Sequence, residues 1–161
     1  MTVFAKNTLT QVSGFDKPII AGELVYDQRT YWNLTLRDSL AAPVSLAGAT
    51  ISAQIVRRVI SNIADTRAGL TFDLADYTPT PTPITLTIAN RVDATGSFTL
   101  VIDDSAWSLI ATDPQLDIAA TSCAAFSGRI KIGFPSVGGV PADDAIIFLL
   151  FLVRSDGVVV V

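Results

Sequence analysis

Histidine is absent from this 161-residue chain, and cysteine and methionine occur once each. Without an imidazole there is no Ser-His-Asp or Cys-His arrangement and no histidine-ligated metal site. Cys123 stands alone, so no disulfide can form within the chain. Flanked by Ala119, Ala120, Ala124 and Ala125, it reads as a small apolar residue of the interior. Glu23 is the sole glutamate, and lysine is confined to Lys6, Lys17 and Lys131. Both residue types favour exposed helix, whereas the abundant Asp and Thr favour turns and strands, so composition argues against a helical protein.

Charge is scarce as well. Charged residues make up 16% of the chain, against roughly 25% in an average soluble domain. A surface so thin in charge is expected to be covered in part by neighbours. The net charge is −4 and the only basic run is Arg57–Arg58. Nucleic-acid binding needs a positive footprint, so no nucleic-acid partner is expected. The first residues lack a basic start followed by an apolar core, and no secretory leader is expected. The longest apolar run, Ala145–Val153 (AIIFLLFLV), falls well short of the ~20 residues of a membrane helix. It reads as a buried strand, and no membrane partner is expected.

What is present is alternation. Trp32, Leu34 and Leu36 alternate with Asn33, Thr35 and Arg37; Ala49, Ile51, Ala53 and Ile55 alternate with Thr50, Ser52 and Gln54. Period two predicts half-buried antiparallel strands. Similar signals predict strands near Leu24–Tyr26, Tyr31–Leu36, Ala49–Arg58, Ile84–Ala89, Ser97–Ile102, Gly128–Ile132 and Ala145–Val153. Val44–Leu46 is expected to be extended, and Ser155–Asp156–Gly157 to turn a closing hairpin into Val158–Val161. Asp103–Asp104–Ser105 caps a short helix over AWSLIA, limited by Pro114. The TPTPTP segment, residues 78–83, reads as a stiff loop. Residues 1–20 read as an extended N-terminal arm with Phe4 and Phe15 as anchors, and 21–161 as a single domain in which 113–144 is an insertion or loop region. Short strands, frequent turns and one helix are the pattern of an antiparallel β-sandwich.

Nothing in the sequence points to catalysis. The carboxylate pairs Asp103–Asp104 and Asp143–Asp144 sit at a helix start and a strand start, where capping and turn chemistry account for them. No nucleophile elbow, P-loop or dinucleotide fingerprint occurs, and Gly138–Gly139 lacks the lysine and helix of a phosphate cradle. The expectation is a protein that is not an enzyme and carries no cofactor or metal. Trp32, Trp107, Tyr26, Tyr31 and Tyr77 raise the alternative of a carbohydrate-binding module. Trp32, in phase with Leu34 and Leu36, reads as core; Tyr31 and Tyr77 read as exposed.

Trp32–Val56 has an aromatic-led strand, an Asp-containing turn at Asp38, Pro43–Val44–Ser45–Leu46, Gly48–Ala49–Thr50, then the strand Ile51–Ile55. This pattern resembles the N-terminal immunoglobulin-like domain of phage baseplate upper proteins and related tailed-phage modules. GSFTLVIDDSAWSLI and the ending FLLFLVRSDGVVVV are similar to the same family. The resemblance implies an all-β, antiparallel immunoglobulin-like β-sandwich with one short helix, acting in a bacteriophage virion assembled in the host cytoplasm. It implies a structural role in a tail, baseplate or fibre attachment, the alternative being a capsid decoration protein. Expected partners are other virion proteins and further copies of itself, a trimer being favoured. The apolar strand near the C-terminus has two apolar faces, so one is expected to serve the core and the other a neighbour. Candidate contact residues are Phe4 and Phe15 of the arm with Ile147, Leu149 and Phe151, or else the opposite face, Phe148, Leu150 and Leu152.

Overall fold

A computed structural model describes residues 10–12, 18–58, 82–117 and 123–154. Phe4, Phe15, Tyr77, most of the TPTPTP segment and the closing hairpin lie outside the described residues. The strands are β1 (Thr10–Val12), β2 (Ile19–Val25), β3 (Thr30–Thr35), β4 (Thr50–Arg57), β5 (Ile84–Val92), β6 (Ser97–Ile102), β7 (Cys123–Gly133) and β8 (Ala145–Arg154), with one α-helix, α1 (Asp104–Ile110). Hydrogen bonding orders them β1-β2-β8-β7-β4-β5-β6-β3. All neighbours are antiparallel except β2 and β8, which run parallel with Ile19 opposite Phe148 and Val25 opposite Arg154.

That order forces the sheet to curl. β2 and β3 are six strand spacings apart in it, about 29 Å if the sheet were flat. Only Tyr26–Arg29 join them, a reach of about 18 Å from Val25 to Thr30. The two ends of the sheet therefore come round towards each other, and the result is barrel-like. β5 makes the corner: Ile84 and Leu86 pair with β4, while Thr87 to Val92 pair with β6. The interior is closed by contacts across it. Trp32 on β3 stacks on Phe151 of β8, with ring centroids 5.2 Å apart and planes 8° from parallel. Phe98, Leu100 and Ile102 of β6 and Phe126, Ile130 and Ile132 of β7 fill the rest, each 2% exposed or less. The Trp32 indole N–H finds no hydrogen-bond partner among the described residues.

The alternation behaves as the sequence predicts in β3 and β4. Thr30 and Trp32 are buried while Tyr31, Asn33 and Thr35 face out; Ala53 and Ile55 are buried while Ser52 and Gln54 face out. β6 has the predicted bounds, and Asp103 caps α1 by accepting from the Ala106 N–H at 3.1 Å. Trp107 of α1 donates its indole N–H to the Gln28 carbonyl at 2.8 Å, tying the helix to the β2–β3 turn.

Two expectations need correction. The stretch 113–144 is not all loop: the strand expected at Gly128–Ile132 is longer, and Cys123–Gly133 form β7, bonded to β4 on one side and β8 on the other. Gly128 allows that packing: a Cβ there would lie 1.9 Å from the Gln54 carbonyl oxygen. The N-terminal stretch also contributes to the sheet. Thr10–Val12 pair with Ile19–Ala21, and Ile19–Ile20 already belong to β2.

Candidate interaction surface

β8 has the two apolar faces that its sequence suggests, and the register shows which is which. Ile147, Leu149 and Phe151 lie opposite Ile130, Gly128 and Phe126 of β7 and point inward, at 9%, 2% and 0% exposure. As contact residues these three are therefore a correction: they are spent on the chain's own core and are not available to a neighbour. Phe148 and Leu150 point outward and stay 42% and 39% exposed. Full burial of such a side chain stabilises by about 1.5–3 kcal/mol, so the exposed part of each leaves about 1 kcal/mol for a partner to collect.

Neighbouring strands extend this outer face. Ile19 of β2 sits beside Phe148, and across β7 the same rows reach Arg129 and Ser127, then Gln54 and Val56 of β4. Ile19, Val56, Phe148 and Leu150 line an open groove of about 500 Å3, with Pro83 and Arg58 at its margin. Two cations also line it. Arg58 and Arg129 are exposed and form no ion pair among the described residues. The other charges nearby are matched: Arg154 with Glu23 at 2.8 Å, and Lys131 with Asp144 at 2.8 Å. An apolar groove with unpaired arginines suits an occupant carrying apolar side chains and a carboxylate.

A second apolar surface lies at one end of the barrel, where the β3–β4, β5–β6 and β7–β8 connections gather. The β3–β4 connection is stiff. Asp38 accepts from the Leu40 and Ala42 N–H groups, both at 2.9 Å, while Arg37 donates to the Ala41 carbonyl at 2.7 Å. Its tip presents Leu40, 87% exposed. Arg91 holds the returning chain by donating to the Leu46 carbonyl and, at 2.8 Å, to the Ala49 carbonyl, and it pairs with Asp93. Gly96 closes the β5–β6 turn at φ 65°, with the Leu36 and Val44 carbonyls where a Cβ would go. In the β7–β8 connection, Val137 and Val140 exchange both N–H···O bonds at 3.1 Å around Gly138 and Gly139, whose φ values are 61° and 80°. This is a two-residue hairpin turn with both central residues left-handed. It displays Val137 and Val140 at 77% and 67% exposure.

The residues weighed for chemistry have structural tasks. Asp103 takes hydrogen bonds from Ser105, Thr87 and the Ala106 amide, which hold its carboxyl down at about 2. Asp104 pairs with Arg29 at the surface, which lowers the Asp104 pKa and raises that of Arg29. Asp143 is exposed and Asp144 pairs with Lys131, so the second acidic pair is split. Cys123 is partly exposed at the start of β7, less enclosed than its alanine neighbours suggest. No group of acidic or cysteine side chains suited to a metal occurs among the described residues, and none of their helices is long and apolar enough to cross a membrane. Trp32 is core and Tyr31 is 67% exposed.

Sequence reasoning passed over the ion pair of Arg57 and Asp113. Arg57 Nε lies 2.6 Å from Asp113 Oδ2, with the side chains only 9% and 7% exposed. It also passed over the loop-end valines and Leu40, since isolated apolar residues in a turn carry no periodic signal. The valines had one usable cue, Gly138–Gly139 between them, which is a hairpin-turn dipeptide. No family model matches this chain, and no curated protein matches it.

Proposed function

We propose that this protein is a non-enzymatic structural module of a tailed bacteriophage particle, joining tail, baseplate or fibre components through protein–protein contacts. The observation that carries the reading is the apolar outer face of β8, with Phe148 and Leu150 open on a chain poor in charge. A face of that kind is built to be covered by protein.

The finer fold in this reading is an immunoglobulin-like sandwich, and strand order supports it. In the constant-type arrangement one sheet runs A-B-E-D and the other C-F-G, so the match here is to B-E-D and C-F-G, while the first strand sits on the opposite sheet. Here β3-β6-β5 follow the first order and β4-β7-β8 the second, with β2 laid against β8 as the A strand. The segments that resemble baseplate upper proteins fall on β3, its stiff turn, β4, β6 and α1. In this reading the protein acts in the virion as a homo-oligomer, a trimer being the favoured form, bound to other virion proteins.

Quantitative mass spectrometry of purified particles, with tails and heads separated, tests the proposal. A low copy number that follows the tails is the expected result. Hundreds of copies on the heads replace it with the capsid-decoration reading. Absence from the particles overturns both.

A further inference from the structure

We infer that copies of this chain join head to tail, the loop end of one seated in the β8 groove of the next. The inference rests on the homo-oligomer in the function proposed above and assigns the two surfaces that form it. Both halves of the contact are present on one chain. The projecting half is the Val137–Val140 hairpin, closed by its two hydrogen bonds and exposed at both valines. Its rigidity matters, because a turn already ordered loses little freedom on docking. The receiving half is the groove of about 500 Å3 floored by Ile19, Val56, Phe148 and Leu150, a volume in the range of clefts that enclose a few side chains.

The charges agree with this pairing. Asp143 follows the hairpin and makes no ion pair among the described residues; Arg58 and Arg129 line the groove, likewise unpaired there. A second copy thus brings a carboxylate to a site with surplus positive charge, although the whole chain is acidic. Opposed groove to groove, as in a twofold dimer, the same four arginines would face one another. Like charges set directly across an interface oppose that arrangement. A head-to-tail contact uses two different patches, so it closes into a ring or continues as a filament.

The test is analytical ultracentrifugation of the full chain over a wide concentration range, with thermal melts to confirm folding. Wild type should associate. Val137→Ser with Val140→Ser should weaken association at least tenfold with an unchanged melt, since both residues are exposed. Leu150→Ser should do the same from the groove side. Arg129→Asp carries that arm should Leu150→Ser fail to fold. Mixing the loop variant with the Arg129→Asp variant should give a one-to-one pair that does not grow, because only one competent contact survives. Association that ignores the valine changes overturns this contact and leaves the homo-oligomer standing. A wild-type chain that stays monomeric throughout overturns both.

Discussion

Asp113→Ala should be among the most damaging single changes in this protein. Arg57 lies on the core side of β4 with its side chain 9% exposed. Its guanidinium meets Asp113 at 2.6 Å, the Ala125 carbonyl at 3.2 Å and the Arg58 carbonyl at 2.7 Å, and it lies 5.9 Å from the Phe126 ring centroid. Asp113 follows α1, where its N–H donates to the Ile110 carbonyl and its own carbonyl accepts from Leu116. The pair therefore fastens the end of the helix to the sheet. Removing Asp113 takes the carboxylate away from a buried guanidinium, a loss of about 3–5 kcal/mol. For a chain of this size each kcal/mol moves the midpoint by about 2–4 °C, so the melting temperature should fall by about 6–20 °C. Arg57→Met should show a loss of the same order. The double variant Arg57→Met, Asp113→Ala should recover at least about 2 kcal/mol relative to the sum of the two singles, because neither charge is left behind. Urea unfolding followed by the fluorescence of the buried Trp32 and Trp107 measures all four proteins. A loss under about 1 kcal/mol for Asp113→Ala, or strictly additive singles, would refute the reasoning.

Asp103→Ala removes the cap of α1 and should cost about 1 kcal/mol at neutral pH. The folded carboxyl titrates near 2, below its ordinary 3.8, so its contribution is complete above the ordinary value and disappears as the pH falls towards 2. Unfolding curves of wild type and variant should therefore converge between about pH 5 and pH 2; a constant gap across that window contradicts the assignment. Gly96→Ala forces a side chain into a left-handed position and puts its Cβ 2.4 Å from the Val44 carbonyl oxygen. The combined strain should cost about 2–5 kcal/mol in the same urea assay, and a loss under about 0.5 kcal/mol would mean the loop end is far softer than its hydrogen bonds indicate.

The sequence was most readable where one face of a strand meets the core and the other meets water. β3 and β4 are of that kind, and their alternation predicts both their position and their buried face. β7 was hard to read for the opposite reason. It lies between β4 and β8, and Cys123, Ala125 and Ser127 on its outer side are themselves half covered, which blunts the contrast that alternation needs. In β8 both faces are apolar, so periodicity does not say which is inward; only the pairing of Phe151 with Phe126 and the stacking on Trp32 decide it. β1 is three residues long, below the length at which any pattern registers. The ion pair joins residues 56 apart in the chain, and charge patterning within one element carries no trace of such a contact.

The parallel pairing of β2 with β8 links the fold to its outer surface. A strand at the edge of a sheet exposes a row of unpaired backbone groups and invites uncontrolled pairing. By covering that edge of β8, β2 removes it, and the short β1 then covers part of β2. What β2 does not cover is the outer face of β8, where Phe148 and Leu150 remain open between Ile19 and the arginine rim. Backbone pairing at β8 is thus closed and the edges of the described sheet fall at β1 and β3, while side-chain contact on the outer face of β8 is left available. Side-chain contact is the more selective of the two, because it depends on shape and charge that a single partner supplies. The role proposed above, joining particular neighbours in a fixed geometry, would need that selectivity.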